Sequence, residues 1–385
     1  MKLKQIFLLA LVYLHGVVPS RAADDRILIE GKINNQPVRF AFDTGTGAQV
    51  LFRPAAERLG LRITNAPADF HPQPGEVPMG ITEECSFTFV GDTNVIRCAF
   101  GTVDVPDYTF KDGQIDGALG WRGFDIKFME FIGTPQRVDF SETLSKEAAK
   151  WTRVRIATNI SLLCLEIPTG KGKQVRVALD TGAANGIMLS PKLWNEWRAA
   201  HTNQPATMCV YWTPAAGLVI AEESWAKTYS FGNIVFNDVP IMANGITVDT
   251  FDVMLGLAAM RHLDFVIDLK QNYAYVRTKT SAVPYQHNRL GAVFAPKNLE
   301  SDDRIAHVVP GSPAYKVGIR NGDLLLKVDG RDATKWRTEP EDPNALGPWE
   351  RPAGTKTKIT YKRNGEVFET EAVLQDILPP KTKNR

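Results

Sequence analysis

The chain has 385 residues, and its 45 lysines and arginines nearly balance its 43 aspartates and glutamates, which gives a formal net charge of +2 at pH 7. The basic residues form no stripe with interleaved aromatic residues, so the sequence gives little support to nucleic-acid binding. The composition is that of an ordinary globular protein, and the length suffices for roughly two or three domains with cores of their own.

The first 22 residues have the pattern of a secretory signal peptide. Two lysines precede an apolar run from Ile6 to Leu14, and Ser20-Arg21-Ala22 supplies small residues where a signal peptidase cleaves. The apolar run is shorter than the roughly 20 residues that span a bilayer, and no later stretch is long and apolar enough to do so. We therefore expect an exported protein, periplasmic or extracellular, with no membrane span.

The four cysteines, Cys85, Cys98, Cys164 and Cys209, form no CxxC pair. In an exported protein an even number of cysteines favours disulfides over a metal site, and three pairings are open. Gly91-Asp92 is a favoured two-residue turn between two β-like segments, and the resulting hairpin register places Cys85 opposite Cys98. A Cys85–Cys98 disulfide is one expectation, and two buried free thiols are the alternative.

An Asp-Thr-Gly sequence occurs twice, each time at the end of an apolar strand. Asp43 follows a strand, a turn at Asn34-Asn35 and a second strand of alternating apolar residues, and Asp180 follows the same arrangement with its turn at Gly170 to Lys173. A lone carboxylate at the end of a core strand is costly unless it is paired or protonated. Each aspartate is therefore the natural partner of the other.

The repeat continues beyond the two aspartates. Gly80 and Gly217 each lie 37 residues after their aspartate, in what we interpret as loops. An apolar-apolar-Gly segment then ends at Gly120 in one copy and at Gly256 in the other, and both copies close with a β-like segment that carries an Asp between apolar residues. A period of 137 residues is too long for a solenoid and indicates two duplicated lobes.

Asp116 and Asp252 are also paired across the repeat. They stand in front of the apolar-apolar-Gly segments instead of ending a core strand. We therefore predict a structural role for both.

These motifs resemble the signature of the aspartic peptidases of the pepsin and retropepsin clan, in which hydrophobic-hydrophobic-Asp-Thr/Ser-Gly is followed by hydrophobic-hydrophobic-Gly. The resemblance extends from about Arg26 to Arg277. It implies a mainly β fold, with two pseudo-twofold-related acid-protease β-barrel lobes and a site in the cleft between them. Because both copies lie in one chain, it also implies a monomer that forms this pseudo-dimer intramolecularly.

The resemblance assigns Asp43 and Asp180 as a catalytic pair that shares one proton and activates a water, without a metal or cofactor. The residues expected to support the pair are Thr44, Gly45, Thr46, Thr181, Gly182 and Ala183. In the family the two threonines exchange hydrogen bonds across the twofold, and the glycines let the backbone pass close to the carboxyls.

Two further expectations concern the surroundings of the pair. Thr46 in one copy and Ala183 in the other predict that the two aspartates differ in hydrogen bonding. Gly80 and Gly217 lie where the family places flaps, which would exclude water from the cleft and align an extended peptide substrate.

The C-terminal region resembles a PDZ domain of the bacterial type. It has a strand, a short helix beginning after Ser312, a turn at Asn321-Gly322-Asp323, a further strand and a final hairpin with Asn364-Gly365 as its turn. Such a domain binds an extended peptide, often a C-terminus, as an added strand. The residues assigned to the peptide-binding loop are Leu290, Gly291, Ala292, Val293 and Phe294. The alternative is a packing module that only braces the second lobe.

The sequence thus predicts a signal peptide at 1–22, lobes at 23–148 and 149–282, a PDZ domain at 283–378 and a tail at 379–385. We expect an exported aspartic endopeptidase that acts on peptide or protein substrates, with the PDZ domain recruiting the substrate or a partner. The alternative is a non-catalytic peptide-binding or scaffolding protein that keeps the acid-protease fold.

Overall fold

The computed structural model describes residues 26–65, 79–90, 95–103, 115–122, 127–133, 137–170, 172–213, 217–245, 250–280, 285–296, 301–335 and 347–378. The predicted signal peptide, the Gly91-Asp92 turn and the predicted tail lie outside the described residues. Among the helices that are described, none is both long and apolar enough to cross a membrane.

The described chain is mainly β and falls into three parts. The first lobe contains β1 (Leu28–Ile33), β2 (Gln36–Asp43), β3 (Gln49–Phe52), α1 (Arg53–Arg58), β4 (Ile63–Asn65), β5 (Met79–Thr82), β6 (Cys85–Phe89), β7 (Ile96–Cys98), β8 (Gly101–Val103), β9 (Gly117–Gly120), β10 (Phe128–Ile132) and β11 (Arg137–Ser141). After a 3-10 helix at Ala148–Lys150, the second lobe contains β12 (Thr152–Ile156), β13 (Leu163–Gly170), β14 (Lys173–Leu179), β15 (Ile187–Leu189), α2 (Pro191–Ala200), β16 (Ala206–Thr213), β17 (Gly217–Phe231), β18 (Ile234–Ala243), β19 (Val253–Leu255), α3 (Leu257–Met260), β20 (Leu263–Asp268) and β21 (Tyr273–Thr278). The C-terminal part contains β22 (Ala292–Pro296), β23 (Arg304–Val308), α4 (Pro313–Lys316), β24 (Leu324–Val328), β25 (Arg331–Asp332), β26 (Lys356–Arg363) and β27 (Glu366–Val373).

The opening hairpin of the first lobe, β1–β2, forms as predicted. Asn34 and Asn35 have φ values of 47° and 67°, the left-handed pair that a two-residue hairpin turn requires and that asparagine tolerates. Along β2, Val38 and Phe40 are buried while Arg39 between them is exposed, because successive side chains of a strand point to opposite faces. The second lobe opens with the equivalent hairpin, β13–β14.

In both lobes the strand that bears the aspartate pairs with a parallel strand from later in the lobe, which also pairs antiparallel with the strand that follows the aspartate. In the first lobe β9 runs parallel to β2 and antiparallel to β3, with Gly120 opposite Asp43. In the second lobe β19 runs parallel to β14 and antiparallel to β15. The apolar-apolar-Gly segments of the sequence are therefore the strands that support the aspartate-bearing strands.

A continuous sheet joins the two lobes. Strands β10 and β11 precede the predicted domain boundary at residue 148, yet β10 pairs with β20 of the second lobe in the order β11-β10-β20-β21-β12-β13. Phe131 on β10 stacks on Phe265 on β20 with ring centroids 4.4 Å apart, and both rings are fully buried. Burial of these large apolar surfaces fixes the lobes against each other.

The glycines predicted to lie in flap loops occupy hairpin arms. Gly80 is a buried residue of strand β5, where a Cβ would lie 2.6 Å from Thr102 Oγ1 and 2.8 Å from Ile63 Cγ2. The interpretation of Gly80 as a loop residue was therefore wrong, since close packing between β4 and β8 is what requires a glycine there. Gly217 is the first residue of β17, opposite Thr213 in the β16–β17 hairpin.

The cysteine register was predicted correctly. Cys85 lies directly opposite Cys98 across the β6–β7 pair. Both are free thiols in the structure, and the Cys85 thiol donates to the Cys98 carbonyl at 3.4 Å, so the structure has the free-thiol arrangement and no Cys85–Cys98 disulfide. Cys164 and Cys209 are also free and are buried in one apolar cluster of the second lobe.

The C-terminal part folds as the sequence predicted. Ser312 caps α4, and its hydroxyl accepts the Tyr315 N–H at 3.2 Å. Asn364 and Gly365, with φ values of 50° and 91°, turn β26 into β27. The sheet has the order β22-β23-β24-β26-β27, so the strand that contains most of the predicted peptide-binding residues, β22, lies at its edge.

Candidate active site

Two apolar strands carry the aspartates into the interior. Asp43 is the last residue of β2 and Asp180 directly follows β14. The preceding residues, Phe42 and Leu179, are fully buried and anchor each strand end in the core. As a result the aspartates are buried as well, with exposures of 2% for Asp43 and 0% for Asp180.

The threonines that follow the aspartates hold the two loops together. The N–H of Thr44 donates to Oγ1 of Thr181 at 3.0 Å, and the N–H of Thr181 donates to Oγ1 of Thr44 at 3.0 Å. Each hydroxyl in turn donates across the interface, Thr44 to the Leu179 carbonyl at 2.7 Å and Thr181 to the Phe42 carbonyl at 2.6 Å. The four bonds are reciprocal, as a pseudo-twofold relation between the lobes requires.

The glycines that follow the threonines bring the carboxyls face to face. A Cβ on Gly45 would lie 2.6 Å from Asp180 Oδ1, and a Cβ on Gly182 would lie 2.9 Å from the carboxyl carbon of Asp43. The Gly45 N–H donates to Asp43 Oδ1 at 2.8 Å and the Gly182 N–H donates to Asp180 Oδ1 at 2.9 Å. Each carboxyl is thus oriented by its own loop and faces the opposite one.

The electrostatics of the pair favour one shared proton. Burial raises the pKa of Asp43 to about 6, although the Gly45 N–H and the contact with Asp180 counteract the rise. Burial and the neighbouring charge of Asp43 raise the pKa of Asp180 well above its ordinary value. Two adjacent buried carboxylates cannot both ionise at neutral pH, so the pair shares one proton, and the additional rise caused by the charge of Asp43 favours Asp180 as the protonated member. Oδ2 of Asp180 is buried and receives no hydrogen bond from the described residues, and a proton or a water would satisfy it.

The difference between Thr46 and Ala183 has a local consequence. The Thr46 hydroxyl accepts the Ala48 N–H at 3.1 Å, a bond that the Ala183 side chain cannot make. The carboxyls of Asp43 and Asp180 differ instead in the backbone N–H groups that bond to them. Hydrogen bonds from the N–H groups of Gly182 and Ala183 lower the pKa of Asp180, whereas those from Gly45 and Gly182 lower that of Asp43.

Equivalent glycines support the two loops from below. A Cβ on Gly120 would lie 2.5 Å from the Ala48 carbonyl oxygen, and a Cβ on Gly256 would lie 2.5 Å from the Asn185 carbonyl oxygen. Ala48 and Asn185 each stand five residues after their aspartate. The same close approach therefore recurs at the same offset in both lobes, and it excludes any larger residue at either glycine.

Asp116 and Asp252 have the structural role that the sequence predicts, because each carboxylate accepts a backbone N–H group. Asp116 Oδ2 accepts the N–H of Arg39 at 2.8 Å, and Asp252 Oδ2 accepts the N–H of Arg176 at 2.8 Å. Asp116 also forms an ion pair with Arg58 at 2.6 Å. These carboxylates tie each supporting strand to the strand that bears the catalytic candidate.

Comparisons with known proteins agree with this geometry. The family model described as an aspartyl protease matches residues 29–122, and the one described as a PDZ domain matches residues 304–342. The chain carries an aspartyl-protease domain and a PDZ domain. No curated protein matches the chain. The aspartyl-protease match contains Asp43 but ends before Asp180, and the reciprocal bonds and glycine contacts described above relate the second lobe to the first.

Residues that the sequence analysis did not single out also position the loop that contains Asp43 and Thr44. The indole N–H of Trp121 donates to the Ser161 carbonyl at 2.8 Å, and Arg122 donates to the Ile160 carbonyl at 3.1 Å. The Leu163 N–H donates to the Thr44 carbonyl at 2.9 Å. The first two bonds connect the segment after Gly120 to the start of the second lobe, and the third connects the loop of Thr44 to it. Their only sequence signal is that Trp121 and Arg122 directly follow the conspicuous apolar-apolar-Gly motif.

The PDZ domain contacts the second lobe directly. Val293 and Ala295 on β22 pack against Val210 on β16, together with Met208 and Ile220 of the same hairpin. The β16–β17 hairpin is thus covered on one face by the PDZ domain, while its other face packs into the lobe core through Cys209, Tyr211, Val219 and Ala221.

Proposed function

We propose that this protein is an aspartic endopeptidase in which Asp43 and Asp180 are the catalytic residues. One observation carries the proposal: two buried carboxyls face each other on loops that Thr44 and Thr181 lock together with reciprocal hydrogen bonds. A buried pair of carboxyls that shares one proton is suited to general acid–base chemistry.

The proposed reaction needs only the pair, a water and the substrate. Ionised Asp43 takes a proton from the water, whose oxygen attacks the scissile carbonyl carbon while Asp180 donates its proton to the carbonyl oxygen. Asp43 then passes the proton it took from the water to the leaving nitrogen, the C–N bond breaks, and Asp180 takes a proton from one hydroxyl of the tetrahedral intermediate as that oxygen becomes the carbonyl of the acid product. The pair ends with one proton, as it began, and no covalent enzyme intermediate forms.

The wider setting is part of the proposal. Residues 1–22 would direct export to the periplasm or the extracellular space. Both catalytic loops come from one chain, which supports a monomeric enzyme with an intramolecular pseudo-dimer. The PDZ domain would recruit peptide segments of substrates or partners. The hairpins that include Gly80 and Gly217 would border the cleft as flaps.

Cleavage of an unfolded protein substrate between pH 3 and pH 8 tests the proposal. The wild-type chain should digest the substrate, a statine-type inhibitor should block digestion, and both Asp43→Asn and Asp180→Asn should abolish it while the variants still fold and melt cooperatively. Equal digestion by the wild type and Asp43→Asn would refute the assignment. If no condition yields cleavage, the alternative of a non-catalytic peptide-binding protein replaces the enzyme.

A further inference from the structure

The peptide-accepting loop of the PDZ domain already has an occupant. The N–H groups of Leu290 and Gly291 converge on a single oxygen, Oδ1 of Asn288, at 2.9 Å and 3.1 Å. Gly291 has a φ of +71°, and a side chain there would collide with Ser312, so only glycine allows this backbone geometry. Converging N–H groups of this kind form a nest for an anionic or carbonyl oxygen.

The nitrogen of the same Asn288 side chain bonds to the edge of β22 that faces away from β23. Nδ2 donates to the Ala292 carbonyl at 2.7 Å. The Val309 N–H donates to the Gly291 carbonyl, so in the antiparallel ladder of β22 and β23 the polar groups of Ala292 point away from β23. With two N–H donors around the oxygen and carbonyls around the nitrogen, the orientation of the carboxamide is unambiguous.

A peptide added to β22 would use the same atoms. Its terminal carboxylate would accept from Leu290 and Gly291, and a backbone N–H would donate to the Ala292 carbonyl. The Asn288 carboxamide reproduces this pattern with one acceptor and one donor. Asn288 therefore occupies the place of a ligand's C-terminus.

The same side chain is bonded to the second lobe. Nδ2 of Asn288 also donates to the Met208 carbonyl on β16 at 3.1 Å, and the Thr207 hydroxyl donates to the Asn288 carbonyl at 2.8 Å. Asn288 is 7% exposed, and every residue from Leu290 to Pro296 is buried. The loop is thus closed by its own asparagine and by the β16–β17 hairpin.

We propose that Asn288 is an internal ligand that latches the PDZ carboxylate loop to the β16–β17 hairpin, and that a peptide with a free C-terminal carboxylate binds by displacing it. Displacement breaks the bond to Met208, so peptide binding loosens the hairpin of the second lobe. The proposal rests on the proposed peptide-recruiting function of the PDZ domain. It adds that binding of a peptide to the PDZ domain and loosening of the β16–β17 hairpin are coupled.

Two substitutions separate occupation of the loop from loss of the latch. The binding experiment uses the Asp43→Asn variant as its background, so that bound peptides are not cleaved. In this background Asn288→Ala is compared with Asn288→Asp. Both remove the bonds to Met208 and Ala292. Only Asn288→Ala empties the loop, because the aspartate can still accept from Leu290 and Gly291 and would repel a second carboxylate.

The probe is a pool of random decapeptides with an apolar last residue, prepared with a free carboxylate or with a C-terminal amide and read out by mass spectrometry after capture. Asn288→Ala should retain at least about tenfold more of the free-carboxylate pool than the chain with Asn288, with no gain for the amide pool. Asn288→Asp should show no gain. Equal retention by the two variants, or equal gain for both pools, overturns the proposal.

Hydrogen exchange on the chain with native Asn288 gives a test that does not depend on the variants folding. At saturating concentrations of the free-carboxylate pool, amides of 206–213 should exchange faster than in the peptide-free chain. Binding without this change, or no binding of the pool to any form of the chain, refutes the latch. Neither measurement uses cleavage, so a failure of the proposed peptidase activity would not affect them.

Discussion

Thr44 and Thr181 each accept the other's backbone N–H at 3.0 Å, although 137 residues separate them in the chain. Both side chains are buried, with exposures of 0% and 1%. In this position each hydroxyl both accepts an N–H and donates to a carbonyl of the opposite strand, so neither loop has a buried polar group left unpaired by the contact. The geometry of the candidate catalytic pair depends on this exchange.

Replacing Thr44 by valine should destabilise the chain by about 2–4 kcal/mol, because the Thr181 N–H and the Leu179 carbonyl lose their partner in a buried site. Thr44→Ser keeps the hydroxyl and should lose less than half as much. Urea unfolding of the two variants measures the difference, and peptide cleavage should fall in the same order. Equal stability of the valine and serine variants would show that the exchange does not hold the loops.

Peptide cleavage should not have a strongly acidic optimum. The reaction requires Asp43 ionised and Asp180 protonated, so the rate should rise as the pH increases through about 6, where Asp43 loses its proton. It should fall at a higher pH, where Asp180, whose pKa burial raises further, loses its proton. A kcat/KM profile measured from pH 3 to pH 10 tests this order of ionisation. A maximum near pH 3 would contradict it.

The same two groups should make stability depend on pH. The pKa values of both carboxyls are higher in the folded chain than in the unfolded chain. As the pH rises above the unfolded value, the unfolded chain releases protons that the folded chain still keeps, so the free energy of unfolding falls. Asp180→Asn removes the contribution of Asp180 to this loss and should gain about 1–3 kcal/mol relative to the wild type between pH 4 and pH 7.5. Asp139→Asn, which removes an exposed carboxyl, is the control and should show no such gain.

Features set by local chemistry could be predicted from the sequence, and features set by close packing could not. The Asn34-Asn35 turn, the Cys85–Cys98 register and the two aspartate-bearing strands follow from turn preferences and strand alternation. Gly80 was misread because a glycine in a loop and a glycine squeezed between β4 and β8 look alike in sequence.

The contacts of Asn288 and Trp121 also escaped prediction. Asn288 bonds to Met208, 80 residues away in the chain, and Trp121 bonds to Ser161, 40 residues away. Both acceptors are backbone carbonyls, which every residue type has, so the sequence gives no sign of these bonds. Only the tertiary structure places them within reach.

Cys85 and Cys98 should form a disulfide when the purified chain is oxidised, because they face each other across antiparallel strands. A hydrogen bond from the Cys98 side chain lowers the pKa of the Cys85 thiol, which makes Cys85 the more nucleophilic partner. Cys164, whose pKa burial raises to about 12, should stay reduced. Alkylation of the denatured chain, followed by peptide mass mapping, identifies the pairs. Protection of Cys164 ahead of Cys85 would contradict the prediction.

Asp323→Asn should weaken the PDZ domain. The Asp323 carboxylate, whose side chain is 1% exposed, binds Arg363 through two bonds of 2.7 Å and 2.6 Å and also accepts the Arg320 N–H at 2.8 Å. Neutralising it weakens the charge-assisted bonds to a guanidinium that is one-third exposed and should cost about 1–3 kcal/mol, seen as faster hydrogen exchange throughout β24 and β26. Asp139→Ala removes an exposed ion pair with Arg137 and should change stability by less than about 1 kcal/mol. If the two substitutions have equal effects, the Asp323–Arg363 pair does not stabilise the PDZ fold.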